Sequence, residues 1–98
     1  MSAYLIVEVT YKDHQWTEAY RRDVPQIIDA HGGRYLAKSP VAELIEGDGP
    51  VPQTVALLEF PTIKAAKAML ACPEYRPYAD ARKIGAQTRI LAIEGLGA

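Results

Sequence analysis

Tyr75, Tyr78 and Arg82 follow one another at spacings of three and four residues, which places all three on one side of a helix. Two phenols and a guanidinium sharing a side could serve a small ligand, the arginine holding an anionic group and a tyrosine hydroxyl making the second contact. The plainer reading is packing, with the rings buried and the Arg82 head reaching to water. If Arg82 points inward, its charge requires an anion, either Glu59 from the protein or a carboxylate on a ligand.

Glu8, Glu59 and Glu94 each interrupt an otherwise apolar run, and a buried carboxylate must pair or titrate upward. Arg34, Arg82 and Arg89 are available partners. Such a carboxylate–arginine pair could mark a pocket mouth; the alternative is wet heads at strand ends. His31 stands at the end of a helix pattern, where a cation is favoured by the helix dipole. The competing role is that of a general base lining a cavity, so His31 and Glu59 are the catalytic candidates and Arg82, Tyr75 and Arg34 the ligand-binding ones. His14 falls in a first turn, on the exposed side, and two histidines without a carboxylate cluster make no metal site. Cys72 has no adjacent base to activate it, Trp16 reads as core, and Gly47-Asp48-Gly49 resembles neither a phosphate loop nor a calcium loop. The residues call for no metal and no cofactor.

The elements that must position these groups are legible from pattern. Tyr4–Tyr11 is a strand, apolar except at Glu8 and Thr10. Asp13 stands where an N-cap belongs, and Trp16, Ala19, Tyr20, Ile27, Ile28 and His31 then share a helical face. Pro25 predicts a kink or short break in that helix, and Gly32-Gly33 ends it, one of them in the left-handed conformation. Arg34–Ser39 is a second strand, interrupted by Pro40 and resuming over Val41–Glu46 as a bent or bulged strand. A loop follows to Gln53, and Thr54–Phe60 is a third strand. A helix capped by Thr62 buries Ala65, Ala66, Met69 and Leu70 until Cys72-Pro73 breaks it. Glu74–Ile84 is helical again, Gly85 stops it, and Gln87–Glu94 is the last strand.

The order is β-α-β-β-α-β in a single domain spanning residues 1–98. Right-handed crossovers make it an α+β, ferredoxin-like domain, a four-stranded antiparallel sheet with helices on one face. The strands are nevertheless apolar on both faces, and a second copy of the same sheet is the simplest cover, which predicts a homodimer. A net charge of −1 from dispersed residues supplies no field for nucleic acid, and the central strands lack the paired exposed aromatics that stack bases. No apolar stretch is long enough for a membrane helix. The start of the chain reads as a strand rather than a signal peptide, and a single cysteine fits a reducing cytoplasm.

His31-Gly-Gly-Arg-Tyr-Leu36, Glu46-Gly47, the run from Val55 to Pro61 ending Glu-Phe-Pro, Cys72-Pro-Glu-Tyr75 and Glu94-Gly95 occur in that order. In sequence and spacing they resemble the landmarks of the small bacterial proteins grouped as domain of unknown function 1330, over roughly Tyr4 to Gly95. The resemblance implies a protomer of the dimeric α+β barrel superfamily. There, two sheets pack face to face and each protomer holds a cavity between sheet and helices. The superfamily includes cofactor-free monooxygenases, isomerase-like enzymes and haem proteins; the haem members need a proximal histidine that neither His14 nor His31 clearly supplies. Arg82 matches a position where the family often carries arginine. Two positions depart: Cys72 stands where a small residue such as serine is usual, and Pro40-Val-Ala-Glu43 replaces a glycine-rich run.

Two readings of different class stand on these residues. In one, the chain is a cofactor-independent enzyme acting on a small organic acid or aromatic held in the protomer cavity, with His31 or Glu59 as acid/base and Arg82 as anchor. In the other it is a non-catalytic dimer, a small-ligand binder or structural module. The partners are itself and a small anionic or aromatic molecule.

Overall fold

The β-branched and aromatic run near the start of the chain forms strand β1 (Ala3–Tyr11). The computed structural model describes residues 2–97. After β1 come α1 (Thr17–Ala30), β2 (Arg34–Ser39), β3 (Thr54–Phe60), α2 (Ile63–Ala71), α3 (Arg76–Gly85) and β4 (Ala86–Glu94). The strands lie in the order β2-β3-β1-β4, every neighbouring pair antiparallel. This is the ferredoxin-like arrangement, with the second crossover divided into two helices at Cys72-Pro73, where Cys72 turns extended at the end of α2.

Side chains alternate strictly along the central strands. Leu5, Val9, Thr54, Ala56, Leu58 and Phe60 point toward the helices and are buried. Leu5, Ala56, Leu58 and Phe60 pack with Val24 and Ile28 of α1, Ala66 and Met69 of α2, and Tyr75 and Ala79 beside and within α3. Thr62 caps α2 as its position predicts, its Oγ1 accepting the Ala65 amide at 3.0 Å. The opposite sheet face carries Tyr4, Ile6, Glu8, Val55, Leu57, Glu59, Arg89, Leu91 and Ile93. No element of the described chain covers it, and Ile93 is 49% exposed.

Three local expectations are corrected. Asp13 does not cap α1, which begins four residues later; its Oδ1 accepts the Gln15 amide at 3.0 Å and builds a separate turn. Pro25 lies inside α1, which runs through it unbroken, so of the expected kink or short break the break is ruled out. Both Pro25 and Arg21 are exposed, so solvent can reach the Arg21 carbonyl that the missing amide leaves free. Residues 41–46 form no strand, because β3 begins only at Thr54 and its pairing with β2 ends at Ser39–Val55, leaving them no neighbour. Instead they belong to a loop over residues 40–53 in which Ile45 is 87% exposed. The bulge exists, but at Leu36.

At the end of α1, Gly32 has φ +79°, while the Gly32 and Gly33 amides donate to the carbonyls of Asp29 and Ile28, both at 3.0 Å. Gly33 serves a different need: a Cβ there would lie 2.5 Å from the buried Phe60 ring.

Candidate functional site

The helices do not close down on the sheet everywhere. Between them lies a cavity of about 570 Å³. Its apolar floor comes from inward positions of β1 and β3 (Leu5, Val7, Val9, Ala56, Leu58), and Ile28, Met69 and Leu70 add apolar wall. Tyr11, Trp16, Tyr20, Tyr35 and Tyr75 supply aromatic wall, and Arg82 sits among them.

The aromatics are locked to one another. Trp16 stacks on Tyr11 with centroids 5.8 Å apart and meets Tyr20 edge-on at 5.4 Å. Tyr20 meets Tyr75 edge-on, and their hydroxyls share a hydrogen bond of 2.5 Å. Burial, reinforced by the neighbouring Tyr75, drives the Tyr20 phenol far above its ordinary range, and the same causes push Tyr35 up to about 12. Both therefore remain protonated hydroxyls at any physiological pH. Outside the cavity, Tyr78 ties α3 to α1 by donating to Asp23 at 2.6 Å.

Arg82 is the unusual member. It is only 6% exposed, and its Nε has no hydrogen-bond partner in the protein. Among the described residues, the ion pairs join Arg22 to Asp23, Arg34 to Glu59, Arg76 to Asp80 and Arg89 to Glu8; none engages Arg82. No aspartate or glutamate lines the cavity. A buried guanidinium without a counter-ion is costly, and the cavity it lines gives an anion from outside the protein a way to reach it.

Of the residues singled out from sequence, the structure brings Arg82 and Tyr75 together in this cavity. Glu59 and Arg34 are elsewhere. Glu59 alternates with the inward residues of β3 and so projects from the opposite sheet face, where Arg34 Nη2 meets its Oε1 at 2.9 Å. The Glu59–Arg82 pair is therefore impossible, and Arg34 has its charge satisfied outside the cavity. His31 ends α1 with its Nδ1 3.0 Å from the Ile27 carbonyl and does not line the cavity.

Sequence reasoning missed Tyr20, Tyr35, Lys38 and His14 as lining residues. Tyr35 and Lys38 are three apart on β2, so a regular strand would turn them to opposite faces. The bulge at Leu36 restores both to the cavity side, opposite the inward Leu58 and Ala56. Lys38 Nζ lies 5.6 Å from the Tyr35 ring centroid, and partial burial lowers its pKa. His14 lies at the exposed mouth, its ring 4.5 Å from that of Tyr11. Its position just before α1 was the only signal, and it argued for a solvent-facing side chain.

No group of three or more metal-ligating side chains converges among the described residues, and no described helix is long and apolar enough to cross a membrane.

The family model described as "Domain of unknown function (DUF1330)" matches residues 2–96. No curated protein matches the chain. A protein of unknown function from Rhodopseudomonas palustris superposes with a TM-score of 0.80 at 18% identity, covering 99% of this chain and 84% of that one. The cofactor-independent oxygenase SnoaB from Streptomyces nogalater gives 0.69 at 12% identity, covering 99% and 95%. A dimeric protein of unknown function with a ferredoxin-like fold, from Bacteroides fragilis, gives 0.59 at 14% identity and 96% of each chain. At these identities the likeness is one of fold.

Proposed function

The chain belongs to the DUF1330 family, and from that footing we propose that its protomer cavity receives a small, partly apolar anion, an organic acid or an aromatic, on which it acts without a cofactor. One observation carries the reading: Arg82 is buried in an aromatic-walled cavity and no protein carboxylate answers its charge. A guanidinium in a low-dielectric wall strengthens any anion it meets and could stabilise one that develops during reaction. The Tyr20–Tyr75 hydroxyl pair stands ready to donate a second hydrogen bond, and the flat aromatic walls suit a ring.

A non-catalytic binder is the second reading, and a specific observation favours it. The cavity is lined by no carboxylate, and its one imidazole, His14, sits at the wet mouth, so a dedicated proton acceptor is missing from the interior. In this reading Arg82 holds the anion and nothing turns over.

Thermal melts with benzoate, phenylacetate and salicylate test the shared part. Ligand at a hundredfold excess over its Kd adds about 2.7 kcal/mol to stability. Arg82→Ala should remove that gain while leaving the protein folded. If none of the three acids stabilises the wild type, or if Arg82→Ala retains the full gain, the reading fails. Loss of the bound acid under turnover conditions then separates enzyme from binder.

The uncovered sheet face completes the proposal: a second copy of the chain covers it. Its central row, Leu57, Ile6 and Leu91, is apolar. Its charges are already neutralised within the sheet, by Arg34 with Glu59 and Arg89 with Glu8, so burial against another copy strands no unpaired charge. We place the dimer in the cytoplasm, where the free, half-buried Cys72 stays reduced.

A further inference from the structure

The aromatic cavity is lopsided in charge. Arg21, Lys38 and Arg82 line it, His14 stands at its mouth, and no carboxylate faces it, although the chain as a whole carries a net charge of −1. The ion pairs among the described residues leave Arg21 and Lys38 unengaged, like Arg82. The two stand close enough to repel: the Lys38 pKa is lowered first by burial and then by the Arg21 charge. Like charges brought together with no acid between them weaken a fold, so their placement calls for a reason other than stability.

The strand register relates them to Arg82. Lys38 pairs with Ala56, Ala56 with Val7 and Val7 with Ile90, a single row across all four strands. Every member of that row lines the cavity, and Lys38 joins it only through the bulge at Leu36. Lys38 marks the β2 end. At the β4 end α3 supplies Arg82, which with Ile90 lines both this cavity and a smaller one against β4. Three strand spacings make the row about 14 Å long at the backbone, and the rungs between its ends, Ala56 and Val7, are apolar. With a cation reaching in from each end, the remaining gap suits a flat ring bearing an acid group on either side. An inward lysine on an edge strand also deters pairing with another sheet, but that task calls for no second cation on α1.

We propose that the cavity takes a dianion, an aromatic or similarly flat acid with a carboxylate at each end, one held by Arg82 and the other by Lys38 and Arg21 at the mouth. This rests on the reading of the cavity given above and adds to it a ligand class and two specificity-determining residues. A monoacid such as benzoate reaches one end only and leaves the repulsion between Lys38 and Arg21 unrelieved. A second carboxylate relieves it and gains a charged hydrogen bond.

Calorimetric titration of the full chain at pH 7.5 with terephthalate and with its monomethyl ester tests the dianion. The two probes share a ring and differ by one carboxylate, and every free carboxyl is ionised there. Wild-type protein should bind terephthalate about tenfold tighter or more, as one hydrogen bond between charged groups supplies. Lys38→Met should bring the two probes within about twofold of each other and leave the ester nearly unaffected, while Lys38→Arg should keep the preference. Should Lys38→Met aggregate through its edge strand, Arg21→Gln carries the same expectation of a reduced preference. Equal binding of both probes by the wild type, a preference that survives the charge-removing variant, or one that Lys38→Arg abolishes overturns the dianion and leaves Lys38 as a guard of the strand edge. Wild-type protein that binds neither probe overturns the cavity reading itself and the dianion with it, an outcome distinct from wild type that binds both alike.

Discussion

Asp23 shows how a single residue outside the cavity can still govern its walls. The adjacent Arg22 guanidinium first, and the Tyr78 hydroxyl second, hold its carboxyl down to about 2. A carboxylate whose folded pKa lies below its unfolded value stabilises the protein above about pH 4, and that contribution is lost as pH falls toward the folded value. Because Tyr78 is on α3 and Asp23 on α1, the bond at stake joins the two helices that carry Tyr20 and Arg82. Tyr78→Phe should therefore reduce, without abolishing, the drop in urea midpoint between pH 6 and pH 3, since the Arg22 contact survives. An unchanged pH dependence in that variant would mean that Tyr78 contributes nothing to holding the carboxylate. At this scale, Tyr75 and Arg82 were legible because a helix repeats every 3.6 residues and their spacing puts them on one side. Arg21 was not. It lies exposed on α1 and looks like any surface arginine until the cavity beside it is seen.

Among the elements, β2 had the most to hide. A bulge has no reliable signature, since it consists of one unpaired residue among residues that pair normally. Pro40 drew attention to the wrong place, and the bulge at Leu36 decides that Lys38 faces inward. Deleting Leu36 would leave Tyr35, Ala37 and Lys38 in plain alternation with their present partners Leu58, Leu57 and Ala56. The deletion should accordingly fold, keep Lys38 on the cavity side and bind benzoate with affinity close to that of the wild type. A variant that folds but in which Lys38 is acetylated markedly faster than in the wild type would refute this account of the strand. The supposed strand over residues 41–46 failed for a different reason. Its apolar residues Val41, Leu44 and Ile45 are exposed, and no local pattern distinguishes an apolar loop from a strand that lacks a partner.

The molecule as a whole was the most legible level, because element order constrains topology more tightly than residue pattern constrains any site. β-α-β-β-α-β, with both strand faces apolar, led to the four-stranded antiparallel sheet with helices on one face that is observed, and to the demand for a cover on the second face. Light scattering at micromolar concentration should report about twice the 10.8 kDa chain mass. Leu57→Arg, at the centre of the apolar row, should shift the protein toward monomer without disturbing the cavity on the other face. A wild-type protein that scatters as a monomer would remove the dimer and leave Leu57, Ile6 and Leu91 as an apolar patch without explanation.

The register also imposes an order in time. β1, made first, is the inner strand that pairs with β3 on one side and with β4 on the other, Ala3 lying opposite both Phe60 and Glu94. During synthesis its two edges must stay unpaired until segments 45 to 57 and then 75 to 91 residues downstream emerge. Such closure of distant contacts slows folding, and an apolar strand open at both edges invites the wrong neighbour in the meantime. Glu8 and Thr10, the only polar interruptions of that strand, are then useful before the fold exists: they make the waiting segment less adhesive to copies of itself on adjacent ribosomes.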